Sequence, residues 1–209
     1  LWDKKASLLK REEEDSPENL YGRAGIYAEF GKIVCISIGY FEKKKQSFRI
    51  KSFFGHLEKE LLSAFAIMLS KYFNSDRVLL CAHNGKEFDF PYLSRRMLVN
   101  KIKLPRLLNT AGKKPWEIKH LDTMELWKFG DYKHYTSLDL LTAIFDIPSP
   151  KSDINGSQVN EVYWEEGDVK RIAEYCQNDV VAIAQLFRAY QAKELWQESE
   201  LEYSELVEI

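Results

Sequence analysis

Residues 33–40 read Ile-Val-Cys-Ile-Ser-Ile-Gly-Tyr, a β-branched apolar run bounded by Gly31, and residues 48–54 follow with alternating apolar and polar side chains. Lys43-Lys44-Lys45 stands between them as a hairpin-like turn, so the two runs predict adjacent strands. The period then changes. Leu61, Leu62, Phe65, Met68, Leu69 and Tyr72 recur at helical spacing across residues 57–73, the mark of an amphipathic helix. Two strands feeding straight into a helix narrow the fold more than any other feature of the chain.

The alternation continues downstream. Val78-Leu79-Leu80-Cys81-Ala82 predicts a short buried strand, residues 88–99 a helix, and residues 118–121 a short strand ended by Asp122. Pro105 and Pro115 mark a polar, basic connection between the last two. Thr136-Ser137-Leu138-Asp139 has the form of a capping box and opens a helix carrying Leu138, Leu141 and Ile144. Pro148, Pro150 and Asn155-Gly156 mark a loop, and a long helix spans residues 167–190. This order predicts an α/β fold with a mixed central sheet flanked by helices. Residues 1–190 are expected to form the domain. Residues 191–209, with Glu194, Glu198, Glu200, Glu202, Glu205 and Glu208 against a single Lys193, are expected to form an acidic C-terminal tail.

The 209 residues, 45% of them hydrophobic, suffice for one domain with a sizeable core. No stretch approaches the length of a membrane span, and no secretory signal opens the chain. Cys35, Cys81 and Cys176 lie far apart among apolar neighbours, which predicts buried thiols in a reducing compartment and favours the cytoplasm. A net charge of -2 argues against a broad duplex-gripping surface. It leaves room for an enzyme that holds a few nucleotides with the help of bound cations. The small basic groups at Lys43-Lys44-Lys45, Arg95-Arg96, Lys101-Lys103-Arg106 and Lys113-Lys114 each read as a solvated face or loop.

Two carboxylates stand out. Asp89 falls where a helix starts, just after a buried strand and the Asn84-Gly85 turn; a helix cap would explain it, and so would a cation site at a strand exit. Asp179 shares a helix face with Ile172, Tyr175, Cys176, Ile183 and Leu186, inside the stripe that should face the core. No basic residue shares that face nearby, and an ionised carboxylate buried there is costly unless it is paired or binds metal. Metal is the better reading for Asp179. His83 reads as a satisfied turn histidine and Asp122 as a helix cap.

At these residues the chain resembles the DEDD 3′–5′ exonucleases, of the tyrosine-containing type. Asn84, Phe88, Asp89, Pro91, Tyr92 and Leu93 are in register with the second motif of family-B DNA polymerase proofreading domains. Tyr175 and Asp179 match the Tyr-x-x-x-Asp third motif. The resemblance extends to stand-alone bacterial exonucleases over most of residues 24–190, with contributions from the phrases around His120-Leu121-Asp122-Thr123 and Ser149-Pro150-Lys151. It implies a ribonuclease-H-like fold. It also implies a metal-dependent 3′–5′ exonuclease acting on single-stranded DNA 3′ ends by a two-metal mechanism. Alternative readings are a 3′–5′ exoribonuclease with the same chemistry and a catalytically incomplete nucleic-acid-binding module.

On this resemblance Asp89 and Asp179 are metal ligands, and two magnesium or manganese ions suit an all-carboxylate site. Tyr175 orients the attacking water through a hydrogen bond. Asn84 and Phe88 meet the terminal nucleotides, with stacking and core packing equally weighted for Phe88. The family's first motif, a strand ending Asp-x-Glu, does not occur in these residues. It is expected upstream of Leu1, since the chain starts without methionine on a partly apolar helix containing Trp2, Leu8 and Leu9; the alternative is a degenerate homologue.

Overall fold

The computed structural model describes residues 1–131, 135–148 and 154–209; Ser149, Pro150 and Lys151 of the resemblance lie outside them. In chain order the elements are helices α1 (Trp2–Leu9) and α2 (Pro17–Leu20), strands β1 (Cys35–Glu42) and β2 (Ser47–Phe54), and helix α3 (Glu58–Tyr72). Strand β3 (Cys81–Ala82), helix α4 (Asp89–Val99), strand β4 (Leu121–Asp122), and helices α5 (Thr123–Lys128) and α6 (Leu138–Ile144) follow. The chain closes with α7 (Val159–Glu161), the long α8 (Val169–Tyr190) and strand β5 (Leu201–Tyr203). The fold is mixed α/β.

Strands β1 and β2 pair antiparallel from Cys35↔Phe54 to Glu42↔Ser47, as the period-two runs require. Their alternation sorts the core into two layers. Ile36 and Phe53 pack with Leu61, Leu62, Phe65 and Leu69 of α3 and with Phe90 and Met97 of α4. On the other face Phe48 and Ile50 meet Val181 of α8, while Val34 and Phe54 meet Ile172 and Ala173. At Gly39 any Cβ would collide with the Phe48 ring and approach Val180, so glycine here lets α8 lie close on β1.

The expected single central sheet is instead two small ones: β1–β2–β5 and a parallel pair β3–β4. Among the described residues no ladder joins β1 to β3, although Ile38 of β1 and Ala82 of β3 pack on the same apolar cluster. This changes the expected burial of the third strand. Only Cys81 and Ala82 are extended in a ladder, Leu79 is 42% exposed, and Cys81 is an exposed thiol, because β3 has a partner on one edge alone. Cys35 on β1 and Cys176 on α8 are half-buried.

The acidic stretch after α8 is not a free tail. Its β5 pairs parallel with β2, the Ile209 N–H reaches the Phe54 carbonyl, and Trp196 stacks beside Phe48. Trp196 also exchanges hydrogen bonds with Gln185 of α8, so apolar and backbone contacts hold a segment whose charge alone suggested solvent. Arg96 is likewise buried and not part of a solvated face. Its guanidinium donates to both oxygens of Glu58 and to the Ala28 carbonyl, and Glu58 accepts from the Ile33 N–H. Burial raises the Glu58 pKa, but Arg96 and the Ile33 amide outweigh it and hold the carboxyl below its ordinary value. This node fastens α4 to α3 and to the approach to β1. Among the described residues no helix is long and apolar enough to cross a membrane.

Candidate active site

Asp89 is the first residue of α4, with Phe88 as the N-cap and Pro91 in the first turn, where a missing N–H costs nothing. The turn that delivers it, residues 83–88, is tied down from below. Asn84 adopts a positive φ of 60°, its N–H donates to Asp122 Oδ1 at 2.9 Å, and the Lys86 N–H donates to Asp122 Oδ2 at 3.1 Å. Asp122 also caps α5, accepting from the Met124 and Glu125 N–H groups. One buried carboxylate therefore holds together two segments that are distant in the chain. His83 completes the clamp: its Nε2 donates to the Thr136 carbonyl at 2.8 Å and its Nδ1 meets the Thr123 hydroxyl at 2.9 Å. With Thr136 so engaged, Ser137 caps α6, one residue later than the capping-box pattern suggested.

Asp179 lies midway along α8, half-buried, with the Tyr175 hydroxyl one turn earlier near enough to favour its charged form. Burial, with the charges of Asp139 and Asp89, outweighs that effect and pushes its pKa up to about 6. Tyr175 is raised as well, first by burial and then by the Asp179 charge, so it stays a neutral donor at physiological pH. Asp89 is exposed, although nearby protein atoms partly desolvate its carboxylate. Burial, and then the charge of Asp122, raise its pKa, while its own backbone N–H partly opposes the shift. Cys176 feels the charges of both Asp179 and Asp89. Residues from α4 and α8 thus meet electrostatically with Tyr175 beside Asp179. Neither acid forms an ion pair with lysine or arginine among the described residues.

The two nucleotide-contact candidates fall at the same place. Phe88 is 44% exposed, and its ring meets the Tyr92 ring at 5.5 Å between centroids, an exposure that removes core packing as its explanation. The Asn84 side-chain Oδ1 is buried and without a hydrogen-bond partner. Asp139, the first-turn acid of α6, is a neighbour of Asp179 that no sequence pattern places there. Its own pattern announces only a helix start, and its approach to α8 is set by the packing of α6 on that helix.

The donor chemistry fits divalent cations. Two carboxylates with raised pKa values and no cationic partner gain from a bound positive charge, and oxygen donors suit magnesium or manganese. Among the described residues no group of three His, Cys, Asp or Glu side chains comes together in a way that could hold a metal ion.

A family model described as predicted 3′–5′ exonucleases related to the exonuclease domain of PolB matches residues 26–206. The chain belongs to this exonuclease family. It is accordingly an enzyme of the hydrolase class. The matched range runs from the segment before β1 through β5, so it takes in the α4 turn, α8 and most of the acidic C-terminal stretch.

Proposed function

We propose that this exonuclease removes nucleotides from single-stranded DNA 3′ ends, with Asp89 and Asp179 holding divalent cations and Tyr175 placing the attacking water. The reading is supported by two acids on distant helices, Asp89 and Asp179, whose pKa values are both raised and neither of which has a basic partner among the described residues, with the Asp89 charge contributing to the shift of Asp179. Magnesium or manganese, when bound, supplies positive charge at the scissile phosphate and favours ionisation of the attacking water. The remaining work falls to the protein. Tyr175 keeps its proton and can hold a water by hydrogen bonding, which suits orientation better than proton abstraction. The exposed Phe88 ring offers a stacking face for a terminal base, and Asn84 lies on the same turn. The Asp122 clamp fixes the turn that carries Asn84 and leads to Asp89. An antiparallel pair β1–β2 and a parallel pair β3–β4 sharing one apolar cluster support a ribonuclease-H-like arrangement.

The test is substitution in the full-length protein. Asp89→Ala and Asp179→Ala should each abolish magnesium-dependent release of mononucleotides from a single-stranded oligonucleotide while the far-ultraviolet circular dichroism is unchanged. Near wild-type turnover in either variant refutes the assignment.

A further inference from the structure

Away from Asp89 and Asp179 the fold assembles a basic surface that the sequence scatters. An open trough of about 1230 Å³ runs between the outer face of α3 and the connection that follows α4. Lys59 and Lys71 enter it from α3, and Lys101, Lys103, Arg106 and Lys113 from the connection. Among the described residues one acid, Asp76, lines it, and Asp76 pairs with Arg106 at 3.3 Å. The five lysines are exposed, and none has a carboxylate within ion-pair distance among the described residues. This is a dense uncompensated positive field on a chain whose net charge is -2. Ser63 and Ser70 lie between the α3 lysines on the same face.

The surface has dimensions as well as charge. The α3 side extends from Lys59 to Asn74, which at 1.5 Å per residue is about 22 Å, or some six phosphates at the roughly 3.4 Å spacing of a stacked strand. Three residues beyond Lys113 in the chain, the Trp116 indole is 77% exposed, with the Lys114 ammonium 5.2 Å from the ring centroid. A cationic track joined in the chain to an exposed aromatic ring offers the two elements that bind single strands without reading sequence. Lys101 and Lys103 follow the C-terminal end of α4, while Asp89 is at its N-terminal end, about 16 Å of helix away.

We infer that this trough is a second nucleic-acid site, which holds the phosphate backbone of the single strand at a distance from the end being processed. The inference rests on the proposed 3′-end site only for the destination of the strand; the trough binds through its own charges. A short oligonucleotide reaches one site, and a long one engages both and gains affinity through the tether.

Binding is read by fluorescence anisotropy of 5′-labelled oligothymidylates of three and twenty nucleotides, with the full-length protein in EDTA to prevent hydrolysis. Lys59→Glu/Lys71→Glu/Lys103→Glu should weaken the twenty-mer at least tenfold and leave the trimer unchanged. The slope of log affinity against log salt should fall by about 2, at roughly 0.7 for each phosphate that the variant no longer neutralises. The corresponding triple alanine variant should weaken the twenty-mer by less and lower the salt slope by the same amount of about 2, with an unchanged melting temperature. Twenty-mer binding should quench tryptophan emission, and Trp116→Phe should remove most of that quench. Wild-type affinity and salt slope in the charge-reversed variant overturn the proposal and leave the trough to an acidic polypeptide. Failure of the wild-type protein to bind the twenty-mer more tightly than the trimer overturns it too. Asp179→Asn separates the two sites: retained twenty-mer binding with lost turnover supports both readings, and retained turnover refutes the metal site alone. Loss of twenty-mer binding in Asp179→Asn refutes an independent trough.

Discussion

Replacing Asp179 by asparagine should stabilise the cation-free protein at neutral pH, because the native fold holds this carboxylate in a place that resists its charge. Its pKa is about 6 in the folded state against 3.8 for the ordinary group. The folded value is the higher one, so the penalty is fully present above pH 6 and is relieved as acid protonates the folded form. At 1.36 kcal/mol for each pH unit, that difference corresponds to about 3 kcal/mol, and partial solvent access reduces this to about 2. For a chain of this size that is a rise in melting temperature of roughly 4–8 °C. Asparagine is nearly isosteric with aspartate, so the substitution removes charge with little change of shape. Thermal unfolding followed by circular dichroism in EDTA at pH 8.0 and 4.5 reads the effect. The variant should melt higher at pH 8.0, and the gap should shrink to about a third at pH 4.5, where only the unfolded carboxylate is largely ionised. Manganese should then raise the melting temperature of the wild type and leave the variant nearly unmoved. An asparagine variant no more stable than wild type at pH 8.0, or a gap that acid does not close, would refute the reasoning.

Tyr175→Phe should lower turnover at least tenfold with manganese affinity within twofold of wild type, measured by calorimetric titration beside a nuclease assay; lost manganese binding would contradict a water-orienting role. Asp122→Ala removes the acceptor for four backbone N–H groups and should cost about 2–4 kcal/mol in urea unfolding. A loss under about 1 kcal/mol would show that the clamp does not organise the turn. Arg96→Met strands the buried Glu58 charge and should destabilise by about 3–5 kcal/mol, most of it recovered in the Glu58→Gln/Arg96→Met double variant. Equal destabilisation in the single and double variants would count against a paired buried charge.

Much of the local architecture was legible in the sequence. The strand pair β1–β2, α3, α4 and α8 begin and end within a few residues of where period-two and helical patterns place them, since these patterns depend on near neighbours. The cap role of Asp122 was legible for the same reason, as Asp before Thr-Met-Glu is a local helix-start pattern. The isolation of Asp179 from basic residues could be read along one helix face, because side chains four apart in a helix must be neighbours.

The kind and order of elements, and the placing of single carboxylates upon them, thus follow from the chain's local pattern. Partnerships between elements come from the packed fold. Nothing local says that Asp122 also receives the Asn84 and Lys86 amides, that Asp139 approaches Asp179, or that Arg96 turns inward to Glu58. The acidic C-terminal stretch looked like a solvated tail because its charges are visible in the chain, whereas the backbone groups of β2 that bind it are not. The basic trough shows the same limit from the other side. Lys59 and Lys71 are separated in the chain from Lys101, Lys103 and Lys113 by β3 and α4, and only the packing of α3 beside the connection after α4 sums their fields. Helix and strand periodicity act over a few residues, while electrostatics and hydrogen bonding act through space, and the fold alone sets those distances.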